Sequence, residues 1–158
     1  VGSPVVTVVK ATRAHALEMA ANLREADAAE VLALGAEPAE GLLASVDVSD
    51  IALTALFDGE VACMAGVVRG KSFLPDEVGL AWLLTAKPCA KHPRALVRVT
   101  KELMPWLQEE SGCVELRNWV DARYTGALRL LERLGFVQGE ARAMGPQGLP
   151  FILVSRRA

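Results

Sequence analysis

Apolar and polar positions change period several times along the chain, and each change marks an element. Val5 to Val9 is a β-branched run that predicts a short strand. Thr12 then stands where an N-cap is needed, because Ala16, Met19, Ala20 and Leu23 follow at helical spacing. A second helical stretch carries Val31, Leu32 and Leu34 and ends at Gly35, and a third, short one starts after Pro38 with Leu42 and Leu43. At Ile51 the period drops to two. Ile51, Leu53, Ala55 and Phe57 alternate, Asp58-Gly59 has the composition of a two-residue hairpin turn, and Val61 to Val68 resumes the alternation.

Gly70 and Pro75-Asp76 predict the next turn. Val78 to Leu84 is apolar at both phases, which predicts a central strand covered on both faces. From Pro93, Leu96, Val99, Leu103 and Trp106 fall on one face of a helix over 94–107, which Pro105 is expected to kink or shorten. Gly112 breaks the chain before a strand over 113–120. Asp121 is then expected to cap a last helix with Ala127, Leu130, Leu131 and Leu134 as its buried stripe and Gly135 as a left-handed C-cap. Phe136-Val137 and Phe151 to Val154 read as closing strands, with Gly139 to Pro150 as a loop between them. The resulting order, β-α-α-β-β-β-α-β-α-β-β, predicts one α/β (α+β) domain over 1–158 with a mixed central sheet. Strand 78–84, helix 94–107 and strand 113–120 form its parallel crossover.

Composition narrows the functions this fold can serve. At 158 residues the chain has the length of one ordinary domain, and its 52% hydrophobic and 23% charged residues are those of a globular protein. A net charge of -2 supplies no field for nucleic acid or an anionic membrane, so neither is expected as a partner. Cys63, Cys89 and Cys113 are odd in number and widely spaced, which argues against a disulfide framework and a zinc site and for a reducing, cytoplasmic setting. Neither an apolar run long enough to span a bilayer nor a secretory leader is recognisable.

Chemistry concentrates beyond the carboxyl end of the predicted central strand. Thr85 to Arg94 brings Lys87, Lys91, Arg94 and His92 to a helix start, where cations oppose the helix dipole and an anion would relieve them. One reading is a phosphate-bearing ligand held by Lys87, Lys91 and Arg94; the other is a solvated basic loop. His15 sits where a cap or a solvent-facing role is expected. Cys89 lacks the His/Asp partners of a covalent nucleophile, and Trp82, Trp106 and Trp119 are expected in the core or at its rim, with Trp82 also able to border an acyl pocket.

The segment Tyr124 to Phe136, taken with the element order, resembles the GNAT superfamily of acyl-CoA-dependent N-acyltransferases. Members commonly carry Asn, then Ala three positions on, Tyr at seven and Gly-Phe at eleven and twelve. Ala127, Gly135 and Phe136 match, whereas Tyr124 and Leu131 depart. The element order extends the resemblance over nearly the whole chain, and the motif-level likeness covers about residues 78 to 137. The tract from Val120-Asp121-Ala122-Arg123 to Gly135-Phe136 also looks like the GNAT-like proteins encoded by tailed phages, including an internal virion protein.

The resemblance implies a cleft between strands 78–84 and 113–120. A pantetheine arm would lie along Leu83, Leu84 and Thr85, and phosphates would meet Lys87, Lys91 and Arg94. The family's glycine-bearing phosphate loop is not present: Lys91 takes its basic position, Arg94 and Leu96 stand where glycines would, and Pro93 removes one N–H. Leu131 cannot supply the acid that many members take from a helix tyrosine. Tyr124, the only tyrosine, is the remaining candidate acid, and Glu77, before the central strand, the candidate base. The implied activity is transfer of an acyl group from acetyl-CoA or another acyl-CoA to a small-molecule or protein amine, without a metal. The alternative is a GNAT-fold structural or interaction protein, such as a phage virion component, that no longer catalyses.

Overall fold

The computed structural model describes residues 2–69 and 77–158, so the turn expected at Gly70 and Pro75-Asp76 lies outside the described residues. In chain order the elements are β1 (Val6–Lys10), α1 (Arg13–Ala21), α2 (Glu25–Ala33), α3 (Pro38–Val48), β2 (Ile51–Phe57), β3 (Glu60–Val68) and β4 (Val78–Thr85). They continue with α4 (Lys87–Lys91), α5 (Pro93–Ser111), β5 (Glu115–Asp121), α6 (Thr125–Arg133), β6 (Val137–Met144) and β7 (Leu149–Arg157). All seven strands join one sheet in the order β1-β2-β3-β4-β5-β7-β6, antiparallel except for the pair β4–β5, as the mixed sheet with its crossover at the centre requires.

Local chemistry explains most of these boundaries. Thr12 and His15 close a reciprocal cap at the start of α1: the Thr12 Oγ1 accepts from the His15 N–H, and His15 Nδ1 accepts from the Thr12 N–H. Asp58 and Gly59 turn the β2–β3 hairpin with φ of 50° and 81°. Gly135 ends α6 at φ 91°, where a side chain would be strained and would also crowd Arg156.

The sheet carries helices on both faces. α5 and α6 cover one face, with Leu107 of α5 packed among the buried sheet residues Ala65, Val67 and Leu116. α1, α2 and α3 cover the other, where Met19 of α1 and Leu42 of α3 are buried with Met64 of β3. Strand alternation along β4 sends Ala81 and Leu83 to the first face and Trp82 and Leu84 to the second. Trp82 has room because Gly66 lies opposite it on β3: a Cβ there would stand 2.6 Å from the indole nitrogen, which donates to Ser49 Oγ at 2.8 Å.

Several expectations are corrected. All three helical stretches of the first third are separate helices and the basic loop contains α4, so the order gains two helices. Gly139 to Pro150 is not a loop: β6 and β7 form a long hairpin through it, with a register shift between Gln138 and Ala141. Nearly every residue of β6 is solvent-exposed, so no apolar alternation marked the strand. α5 runs through Pro105 to Ser111, and its buried stripe continues at Leu107 while Trp106 stays 42% exposed. Asp121 does not cap α6. Tyr124 holds the N-cap position without a side-chain cap, and Asp121 instead accepts from the Arg123 N–H and guanidinium. On α6 the buried side chain is Leu128; Ala127, Leu130 and Leu131 are partly buried.

Candidate functional site

β4 and β5 are hydrogen-bonded neighbours only from Val78–Glu115 to Leu80–Arg117. Beyond Leu80 and Arg117 the two strands diverge, and their backbone groups need other partners. Asn118 supplies them at the vertex: its Nδ2 donates to the Ala81 carbonyl, and its Oδ1 accepts from the Trp119 N–H at 2.7 Å. At the open end α2 does the same. Asp27 accepts from the Thr85 N–H at 3.1 Å and hydroxyl at 2.7 Å, and Glu30 Oε2 accepts from the Asp121 N–H at 3.1 Å. The Arg24 N–H donates to the Thr85 carbonyl at 3.2 Å. Helix α2 thus bridges the separated strand ends, one carboxylate to each. Leu83 lies between Ala81 and Thr85 in the same strand phase, so its N–H and C=O face the opening.

The opening continues into a cavity of about 690 Å³, a usual size for a small-molecule site. Leu83, Leu96, Ala127, Leu130 and Leu131 give it an apolar wall, while Arg24, Arg129 and Arg133 are the cations on its lining. Pro93 and Gly126, in the first turns of α5 and α6, also line it, so two helix N-termini meet the same space. On the α2 side stand Asp27, Glu30 and Tyr124.

Burial sets the protonation of this cluster. Asp27 is 2% exposed, and burial raises its carboxyl pKa against the lowering effect of the Thr85 and Tyr124 hydrogen bonds and of Arg24. Glu30 is pushed up to about 7, by burial first and then by the neighbouring charges of Asp27 and Asp121, with the Asp121 N–H opposing. The Tyr124 hydroxyl donates to Asp27 at 2.9 Å, and burial together with that carboxylate pushes its pKa up to about 12. Asp121 is held low by Arg123, whose guanidinium donates to it at 2.7 Å.

The residues expected from sequence divide. Leu83, Thr85 and Tyr124 line the cavity, and Trp82 borders it. Leu84 does not: it points to the opposite face, among Met64, Val61 and Ala86. Lys87 and Lys91 are carried by α4 to a second depression, shared with Glu18 and Glu60, and Arg94 is exposed in the first turn of α5. Glu77 is exposed at the start of β4, the paired end of the seam, where its carbonyl accepts from the Val114 N–H at 2.8 Å. Cys89 is buried and its thiol donates to the Ala62 carbonyl, as suits a bystander; hydrogen bonding with Cys89 first, and burial second, push the Cys63 thiol up.

Asp27, Glu30 and Asn118 escaped the sequence reading. The available signal was the spacing of Asp27 and Glu30, three apart and so on one face of an alanine-rich helix.

No family model matches the chain, and no curated protein matches it. Solved structures do. An acetyltransferase of the GNAT family from Streptococcus pneumoniae is 18% identical with a TM-score of 0.65, over 98% of this chain and all of that one. A ribosomal-protein-alanine N-acetyltransferase from Brucella melitensis is 18% identical with a TM-score of 0.72, over 96% of this chain and 99% of that one. The aminoglycoside acetyltransferase AAC(6')-Ib, solved with ribostamycin and coenzyme A, is 17% identical with a TM-score of 0.69, over 96% and 93%. The chain therefore has the fold of GNAT acetyltransferases.

Proposed function

We propose that this chain transfers an acyl group from an acyl-CoA, acetyl-CoA in the first instance, to the amine of an acceptor. The observation that carries the reading is the seam between β4 and β5, which is paired at one end and opens into a cavity at the other. An extended amide-bearing arm needs an apolar trough with backbone partners along it. Leu83 offers its N–H and C=O, and Leu130 and Leu131 offer the wall. The Leu83 N–H would polarise the thioester carbonyl, as a backbone donor fixed before the reaction begins can. The phosphates would be held by Arg129 and Arg133, the cations on the α6 side of the cavity, in place of a glycine loop. The acceptor would enter past α2, where the carboxylates favour a cationic amine.

A second reading has an observation of its own. Leu131 stands where members of the GNAT superfamily commonly carry a tyrosine, and Lys91 to Leu96 has no glycine, which suits a fold kept as an interaction module, the virion component of tailed phages among the possibilities. Calorimetric titration separates the two. The acyltransferase reading expects acetyl-CoA and desulfo-CoA to bind with micromolar affinity, and thiol release once an amine is added. Absence of binding at millimolar acetyl-CoA would favour the interaction module.

A further inference from the structure

The reading as an acyltransferase leaves open which group takes the proton from the acceptor amine, and Glu77 stands at the wrong end of β4 to do so. We infer that Glu30 is that base: its carboxylate lines the cavity on the α2 side, fixed through Oε2 by the Asp121 N–H at the open end of the seam. This inference rests on the proposed function. The hydrogen bonds of the described residues engage only Oε2, which leaves Oε1 for a ligand.

The surrounding charges suit the role. On its own helix Glu30 faces Asp27, with Arg24 at the N-cap also on the cavity lining, and β5 brings Asp121 together with Arg123. α6 brings Tyr124, and Arg129, Glu132 and Arg133 lie farther along the cavity wall. The Asp27 carboxylate already accepts from Thr85 and Tyr124, and that of Asp121 is paired with Arg123, so Glu30 is the carboxylate of the three with an oxygen to spare. Burial and the two neighbouring carboxylates push its pKa up to about 7, which suits a base working near neutrality.

The step balances without a further reactant. The Glu30 carboxylate takes one proton from the ammonium and passes it to solvent. The neutral nitrogen forms a C–N bond to the thioester carbonyl, the C–S bond breaks, and the remaining proton lost by nitrogen goes to the departing thiolate.

The test pairs Glu30→Gln with Glu30→Asp. Gln keeps an acceptor for the Asp121 N–H and cannot take a proton. Acetyl-CoA is the donor, with spermidine, tyramine, lysine methyl ester and ribostamycin as acceptors, and thiol release is followed from pH 5.5 to 9. For the parent we expect kcat/KM to rise with a midpoint near 7. Glu30→Gln should lower it by about 100-fold or more at pH 7.5 and abolish that limb. Acetyl-CoA affinity should stay within about twofold, and Glu30→Asp should restore part of the rate. A variant with the parent's rate and pH profile overturns the role of Glu30 and leaves the acyltransferase reading standing. A parent that binds acetyl-CoA but acylates none of these amines also overturns it. A parent that binds no acetyl-CoA overturns both.

Discussion

β5 has two edges that the same backbone could have used alike. Toward β7 it pairs at all seven residues, Glu115 with Arg157 through Asp121 with Phe151. Toward β4 it pairs at three and then lets go. The paired edge is sealed by its own ladder and by side chains such as Phe151 and Val154, both essentially unexposed. The open edge is held by an asparagine and two carboxylates that replace a missing strand neighbour. A sheet can therefore keep a cavity at its centre when polar side chains meet the backbone groups it leaves unpaired, each of which would otherwise cost about 1–3 kcal/mol.

This contrast can be broken from either side. Phe151→Ala should be the most damaging change, removing a buried aromatic from the closed edge at a cost of about 3–5 kcal/mol in urea unfolding. On the open edge Asp27→Ala strands the Thr85 N–H and hydroxyl and the Tyr124 hydroxyl, for a loss of about 2–3 kcal/mol. Asp27→Asn should recover part of that. If Asp27→Ala were neutral, α2 would not be what holds the open end.

A smaller effect separates the two groups of cations. Arg129→Ala with Arg133→Ala should weaken CoA binding about tenfold, ~1.4 kcal/mol, and the loss should shrink at high salt. Lys87→Ala with Lys91→Ala should change it less than twofold, since both lysines border the other depression. The reverse pattern in calorimetry would move the phosphates to α4.

The smallest effect is a slope with pH. Glu30 binds its proton more tightly folded than unfolded, so that part of the stability is complete below about pH 4.5 and is lost as the pH rises through about 7. Asp27 acts in the same direction. Asp121, held low by Arg123, acts oppositely, its contribution present above about pH 4 and lost below it. Urea unfolding at pH 5 and pH 8 should show the parent losing on the order of 1 kcal/mol more than Glu30→Gln, allowing for the partial exposure of Glu30. Equal slopes would mean that Glu30 is ionised in the folded protein throughout this range.

Elements whose apolar residues repeat with a clear period were legible in the residues alone. The Asp58-Gly59 hairpin, the doubly apolar β4, the capped α1 and the parallel crossover all follow from local rules, because turn chemistry and burial periodicity act within a few residues of chain. β6 was not legible, since an exposed edge strand has no buried face to impose alternation. The site divided along the same line. Leu83, Thr85 and Tyr124 could be placed because they belong to β4 and to the start of α6. Leu84, one residue from Leu83, was sent to the other face by strand alternation, and Lys87 and Lys91 were turned away by α4. What only the tertiary structure decided is that Asp27 and Glu30, more than fifty residues before Thr85 and ninety before Asp121, span the open seam. Sequence spacing sets which side chains share a face of α2, but it does not say which strand ends α2 will cross. That depends on the packing of α1, α2 and α3 on one face of the sheet, and burial there raises the Glu30 pKa to about 7.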